Sequence, residues 1–171
     1  MSRLLEELRK CKARDDRGMM ANLRCILVGN KKHRAWPALN RLGVKIDDDI
    51  SSFVAGLFAT HPEETLSGNF GTTCKRIDKE REIKQSEDTK LTPTERRFQH
   101  LLAAECGDEL KDRVLRMVRL AKSADIPVNY EQLEIDMKVL NSPTSVWRDR
   151  TKTNWASAFW TQNAASAEEE V

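Results

Sequence analysis

Thr92-Pro93-Thr94-Glu95-Arg96-Arg97-Phe98-Gln99-His100-Leu101-Leu102 is the stretch that decides the fold. A threonine able to cap, a proline at the first helical position and a glutamate at the third together meet the orphan amides of a helix start. Phe98, Leu101 and Leu102 then recur at helical spacing, and Gly107 closes the helix. The same grammar runs downstream. Asp108 caps a helix whose stripe is Leu110, Val114, Met117, Val118 and Ala121, and Ile126-Pro127 stops it. Asn129 with Gln132 makes another capping pair ahead of Leu133, Met137 and Leu140. Ser142-Pro143 breaks the chain before a last helix carrying Trp147, Trp155, Phe159 and Trp160.

Upstream the reading is also helical. Leu4, Leu5, Leu8 and Cys11 share one face of a first helix, and Asp16 caps a second with Met19, Met20, Leu23, Ile26 and Leu27 on its buried side. Gly29 ends that helix, and residues 29–34 form a basic turn. Trp36-Pro37 opens a short helix running through Leu42 to Gly43. Asp47, Asp48 and Asp49 crowd the start of the next, where acids favour the helix dipole. Ile50, Phe53, Val54, Leu57 and Phe58 form its stripe, and His61-Pro62 ends it. Ser67-Gly68-Asn69-Phe70-Gly71 is a glycine-bracketed loop, followed by a short helix over 72–77. Residues 80–90 are charged with little to bury, which reads as a linker. The pattern predicts an all-α chain of about eight helices in two small helical bundles, residues 1–90 and 91–163, with an acidic tail at 164–171. No internal repeat is visible.

The 171 residues are 39% hydrophobic and 33% charged, enough for a core with a heavily charged surface. No run of about 18 apolar residues exists to span a membrane, and the amphipathic N-terminus lacks a secretory h-region. Cys11, Cys25, Cys74 and Cys106 are widely spaced and read as free thiols, which places the chain in a reducing cytoplasm. The net charge of +2 conceals an asymmetry: residues 1–46 hold twelve Lys/Arg against four Asp/Glu, while residues 47–90 hold six against ten. A basic face on a near-neutral chain suits a polyanion docked on one side, although helices ordinarily carry charged outer faces.

No Walker loop, GxGxxG, GxSxG, HExxH or zinc-ligand spacing is present, so neither catalysis nor a metal or other cofactor is expected. His33, His61 and His100 are scattered, His61 reading as a helix terminator and His100 as a surface residue. Three consecutive acids at 47–49 are more simply caps than a metal clamp. The glycine loop is too short and lysine-poor for an NTPase cradle, though it permits close backbone approach.

Basic residues, by contrast, recur in groups. Lys10, Arg14 and Arg17 would share a face if the first helix continued that far. Arg24 lies off its helix's apolar stripe, and Lys31, Lys32 and Arg34 occupy the following turn. Lys75 and Arg76 follow the glycine loop, Arg96 and Arg97 begin a helix, and Arg113, Arg116, Arg119 and Lys122 step along another. Arg148, Arg150 and Lys152 surround the last tryptophans. Any one of these is ordinary solvated charge. Together they suit salt-sensitive, sequence-independent pairing with phosphates. Trp36, Phe53, Phe58, Phe98, Trp155 and Phe159 fall on apolar stripes and read as core, which favours backbone tracking over base stacking. No groove-reading motif stands out.

Several blocks carry a resemblance. They are Trp36-Pro37-Ala38-Leu39, Val54-Ala55-Gly56-Leu57-Phe58-Ala59-Thr60-His61-Pro62, Gly68-Asn69-Phe70-Gly71, Glu95-Arg96-Arg97-Phe98 with Leu101-Leu102-Ala103-Ala104, Ile126-Pro127-Val128-Asn129-Tyr130 with Leu133, and Trp147 through Trp155 to Trp160. In this order they resemble CasB, the small subunit of the type I-E CRISPR Cascade surveillance complex, over about residues 17–160. The resemblance implies two small helical bundles, no cofactor and no catalysis. It also implies two copies packed head to tail among other Cascade subunits, contacting crRNA, holding the target double-stranded DNA opened, and stabilising the displaced strand. Carried over by block, Arg24, Lys75, Arg76, Arg96, Arg97, Arg148, Arg150 and Lys152 become candidate contacts. Arg14 and Arg17 match no block and rest on charge alone. A free-standing helical single-strand-binding protein and a pure protein scaffold remain the competing readings.

Overall fold

The computed structural model describes residues 1–81 and 90–161, so most of the expected linker and the whole acidic tail at 164–171 lie outside the described residues. Nine α-helices occur among the described residues: α1 (Arg3–Ala13), α2 (Arg17–Arg24), α3 (Trp36–Arg41), α4 (Asp49–Thr60), α5 (Phe70–Arg81), α6 (Pro93–Ala103), α7 (Asp108–Ser123), α8 (Tyr130–Leu140) and α9 (Arg148–Trp160). The chain is all-α, as its periodicity indicates.

Local chemistry sets most helix starts. Asp16 accepts from Met19 N at 3.0 Å, Asp48 from Ser51 N at 3.1 Å and Asn129 from Gln132 N at 3.1 Å. At α6 the box is complete: Thr92 Oγ1 accepts from Glu95 N at 3.0 Å while Glu95 Oε2 accepts from Thr92 N at 2.7 Å. Four local expectations are revised. The first helix stops at Ala13 and Asp15 turns the chain at φ 51°, so Lys10, Arg14 and Arg17 do not share one helical face. The basic turn at 29–34 is a 3-10 stretch, Gly29–Ala35, entered through a shorter one, Cys25–Leu27. The helix after the glycine loop is not confined to 72–77: its expected end at Ile77 extends to Arg81. Gly107, at φ 103°, rather than Asp108, occupies the cap position of α7.

Helix α4 is the hub. Every residue from Ile50 to Ala59 is buried, and α1, α2, α7 and α8 pack around it. Phe58 meets Tyr130 edge to face with centroids 5.4 Å apart. Where α4 ends, His61 is 3% exposed and its Nε2 donates to Ile126 O at 2.7 Å. The Tyr130 hydroxyl donates to His61 O at 2.6 Å, and Glu64 and Val128 form an isolated parallel bridge. This buried knot ties the α4–α5 connection to the α7–α8 connection. The second joint is α5 on α9, where Phe70 and Trp155 are 5.3 Å apart and Trp155 Nε1 donates to Asp136 of α8 at 2.7 Å. Beyond it, Phe98 of α6 stacks on Phe159 at 4.4 Å. Buried apolar residues from Leu4 to Phe159 belong to one cluster.

The four cysteines are free thiols, with Cys11 and Cys74 buried. Burial pushes both thiols above their ordinary value. No helix among the described residues is long and apolar enough to cross a membrane.

Candidate nucleic-acid interface

A one-sided collection of charge lies where α5 crosses α9. Asn69 seats the start of α5, its Oδ1 accepting from Thr72 N and its N–H donating to Thr72 Oγ1, both at 3.2 Å. Its Nδ2 donates across to Asn154 O of α9 at 3.2 Å. Gly71 then lets the helices touch: a Cβ there would stand 2.0 Å from Trp155 O. The glycine of this loop therefore serves helix contact. Further along, the two helices diverge around a groove of about 460 Å³ lined by Thr72, Lys75, Arg76 and Lys79 of α5 and by Ser157, Ala158 and Thr161 at the end of α9. Among the described residues three cations and no carboxylate line it, which favours an anion there. Lys75 reaches over α9 and donates to Thr161 O, a cation at a helix C-terminus. Arg76 and Lys79 are exposed.

Lys79 is absent from the residues that the sequence singles out. It stands four residues after Lys75 and three after Arg76, which is one face of a helix. Ending the helix at Ile77 hides that relation.

The other expected contacts fall into separate places. Arg148, Arg150 and Lys152 open α9, about 8–14 Å along the helix from Ser157, where the groove begins. Lys152 Nζ donates to Ala104 O at 3.2 Å, and Arg150 lies 5.6 Å over the Trp147 ring, with both residues of that pair exposed. Arg148 is half-buried, and its Nε has no hydrogen-bond partner among the described residues. Arg96 and Arg97 are on α6, on the side away from buried Phe98 and Leu101. Lys31, Lys32 and Arg34 are exposed on the 3-10 stretch. Arg24 donates through Nε to Ala59 O at 3.0 Å, so part of its guanidinium closes the end of α4. Arg17 pairs with Asp15 at 3.2 Å, and Arg14 is exposed at the end of α1. The thirteen expected residues do not form one patch. Lys75 and Arg76 meet in the groove, and Arg24, Lys75 and Lys152 already spend donors on backbone carbonyls.

The aromatic expectation holds with one exception. Phe53, Phe58, Phe98, Trp155 and Phe159 are buried, but Trp36 is 44% exposed. It sits where the 3-10 stretch meets α3, edge-on to His33 at 6.3 Å. Of the three acids at 47–49, Asp48 caps α4 and Asp49 pairs with Lys111. No group of three or more His, Cys, Asp or Glu among the described residues is placed to hold a metal ion.

With this geometry in hand, comparison with known proteins is decisive. A family model for the CRISPR-associated protein Cse2 matches residues 7–160. The chain belongs to the Cse2 family. Two solved structures share its fold. A Cse2-family CRISPR-associated protein from Thermus thermophilus aligns with TM-score 0.71 at 18% identity, covering 94% of this chain and 99% of that one. CasB from M. ruber aligns with TM-score 0.64 at 22% identity, covering 93% of each. No match is found among curated proteins. The Cse2 assignment bears out the resemblance carried by the sequence blocks. In this Cse2 chain those blocks are chiefly packing joints. The block ending in His61-Pro62 meets the block Ile126–Tyr130, and Gly68–Gly71 meets Trp155.

Proposed function

We propose that this Cse2-family chain is the non-catalytic small subunit of a type I-E CRISPR Cascade complex in the cytoplasm. In this reading it packs with a second copy and with the other Cascade subunits, contacts crRNA and the guide–target region, and holds the displaced DNA strand through sequence-independent phosphate contacts. The observation that carries the reading is the groove between α5 and α9, whose three charged residues, Lys75, Arg76 and Lys79, are all basic. Replacing one DNA strand by a guide is a near-balanced exchange, so modest backbone contacts tip it. Ammonium and guanidinium groups hold phosphates without reading bases. A contact set that slows reannealing by about 1.4 kcal/mol lengthens the open state about tenfold.

The test is salt dependence. Each phosphate contact to a single strand contributes about 0.7 to the slope of log affinity against log salt. Arg76→Gln with Lys79→Gln is expected to lower that slope by about 1.4 for a single-stranded oligonucleotide, while circular dichroism stays unchanged. An unchanged slope removes the groove from the interface and favours a pure scaffold. Tight binding by the isolated chain with no need of partners favours a free-standing binder.

A further inference from the structure

A second pocket, of about 290 Å³, lies where the two 3-10 stretches meet α4 and α7. Its walls are apolar. Trp36 and Ile46 are 44% and 54% exposed, and Ile26 and Leu27 are half-buried beside them. A large aromatic left open at a pocket mouth is the commonest kind of interface anchor. Phe53 and Ser52, both buried, form the floor. Ser52 is 4% exposed, and its Oγ, closed to water, has no hydrogen-bond partner among the described residues. A buried hydroxyl left unpaired costs free energy until a ligand supplies a partner. The rim is charged. Lys111 pairs with Asp49, which leaves Asp108 and Asp112 facing Lys32. Asp108 and Asp112 are exposed, one turn apart on α7, and neither has an ion-pair partner among the described residues. Three carboxylates and two ammonium groups leave the lining with one negative charge in excess.

We propose that this pocket receives an arginine side chain of a partner protein. The aliphatic stem lies on Ile26, Leu27 and Ile46. The guanidinium lies on the Trp36 ring, and its fork of donors meets Asp108 and Asp112. One guanidinium cancels the single excess charge of the lining. Arginine suits the site better than lysine, because a planar fork can stack on an indole and reach two carboxylates, whereas an ammonium is a strongly hydrated point charge. The volume is at the low end of ligand pockets, which run from about 300 to 1,000 Å³, and fits one long side chain. A nucleobase on Trp36 is the rival occupant, since Lys31, Lys32 and Arg34 are exposed on the same 3-10 stretch. The carboxylates weigh against it, because a strand stacked there brings its phosphates towards Asp108 and Asp112. The chemistry of the pocket stands apart from the Cascade reading; placing the arginine on another Cascade subunit rests on it.

Two measurements on the full chain test the two parts separately. In the first, N-acetyl-argininamide is titrated at constant ionic strength and the indole N–H signals are followed by NMR. The Trp36 signal, assigned with Trp36→Phe, is expected to move. N-acetyl-lysinamide is expected to move it less, and the uncharged citrulline analogue hardly at all. Trp147 is the internal control, an indole 57% exposed beside Arg150 and outside the pocket. Equal movement of Trp36 and Trp147, or a Trp36 shift that survives Asp108→Asn with Asp112→Asn, means an adventitious additive only and overturns the pocket. In the second, the chain is assembled into a reconstituted type I-E complex. Trp36→Ala and the paired aspartate variant are each expected to weaken its retention about tenfold, with affinity for oligodeoxythymidine unchanged. Glu109→Gln removes the same charge from the same turn of α7 outside the pocket, and is expected to change neither. If Trp36→Ala weakens oligonucleotide binding and the aspartate variant strengthens it, a nucleobase holds the pocket and the proposal falls. Full retention of both variants overturns the placement of the arginine within the complex. Failure of the wild-type chain to join the complex overturns the Cascade reading instead, and the titration still decides the pocket.

Discussion

Gly71→Ala isolates the joint that builds the groove. The added Cβ would lie 2.0 Å from Trp155 O, 2.7 Å from its carbonyl carbon and 2.8 Å from its Cα. All three are backbone atoms, so no side chain can swing aside. Helices α5 and α9 must part by about 1 Å before the nearest contact reaches the 3.0 Å that real Cβ atoms respect. Overpacking of this kind costs about 1–3 kcal/mol, and a backbone obstacle places the cost near 3. Alanine returns at most about 1 kcal/mol of helix propensity. The expected net loss is about 2 kcal/mol. With a urea dependence of about 2 kcal/mol per molar, the unfolding midpoint falls by about 1 M. Gly29→Ala is the matched control, since its Cβ meets nothing within 4 Å, and its midpoint is expected to shift by less than about 0.3 M. Equal midpoints for Gly71→Ala and wild type would refute the close-packed joint.

Two further perturbations probe the buried links between the chain's connections. Tyr130→Phe removes the donor to His61 O, costing about 1–2 kcal/mol, and the melting temperature is expected to fall by about 3–6 °C; a shift below about 1 °C contradicts the link. Asp136 is held above the ordinary carboxylate range by burial, an effect only partly offset by hydrogen bonds from Trp155 and Gln132. Its raised value means the folded state keeps a proton that the unfolded chain has lost, so stability falls as pH rises from about 3.8 through the raised value. Asp136→Asn is expected to flatten that part of the stability profile while lowering stability overall, because one of the two donors loses its acceptor. Parallel profiles for wild type and variant sink the assignment.

What is legible in the sequence is local. Asp16, Asp48, Thr92 and Asn129 read as caps because each bonds an amide three residues on. The apolar stripes are readable because helical burial has a period. The pairings are not. Gly71 and Trp155, His61 and Ile126, and Tyr130 and His61 meet across long stretches of chain, and nothing in either partner's neighbourhood names the other. The same distance hides the fate of several basic residues. Arg24, Lys75 and Lys152 look free beside their sequence neighbours, yet each donates to a carbonyl 35, 86 or 48 residues away. Trp36 reads as core because it heads an apolar block, but the 3-10 stretch before α3 turns its ring outward. Lys79 goes unmarked because the polar end of α5 has no stripe to announce that the helix continues.

The most direct measurement is the lifetime of opened target DNA in a reconstituted type I-E complex, followed by permanganate reactivity of the displaced strand at fixed salt. With the wild-type chain the strand is expected to stay reactive. With Arg76→Glu and Lys79→Glu the complex is expected to assemble normally and the opened state to decay about tenfold faster, the equivalent of about 1.4 kcal/mol of lost holding. Normal assembly with an unchanged lifetime would contradict the claim that this chain holds the displaced strand through the α5–α9 groove.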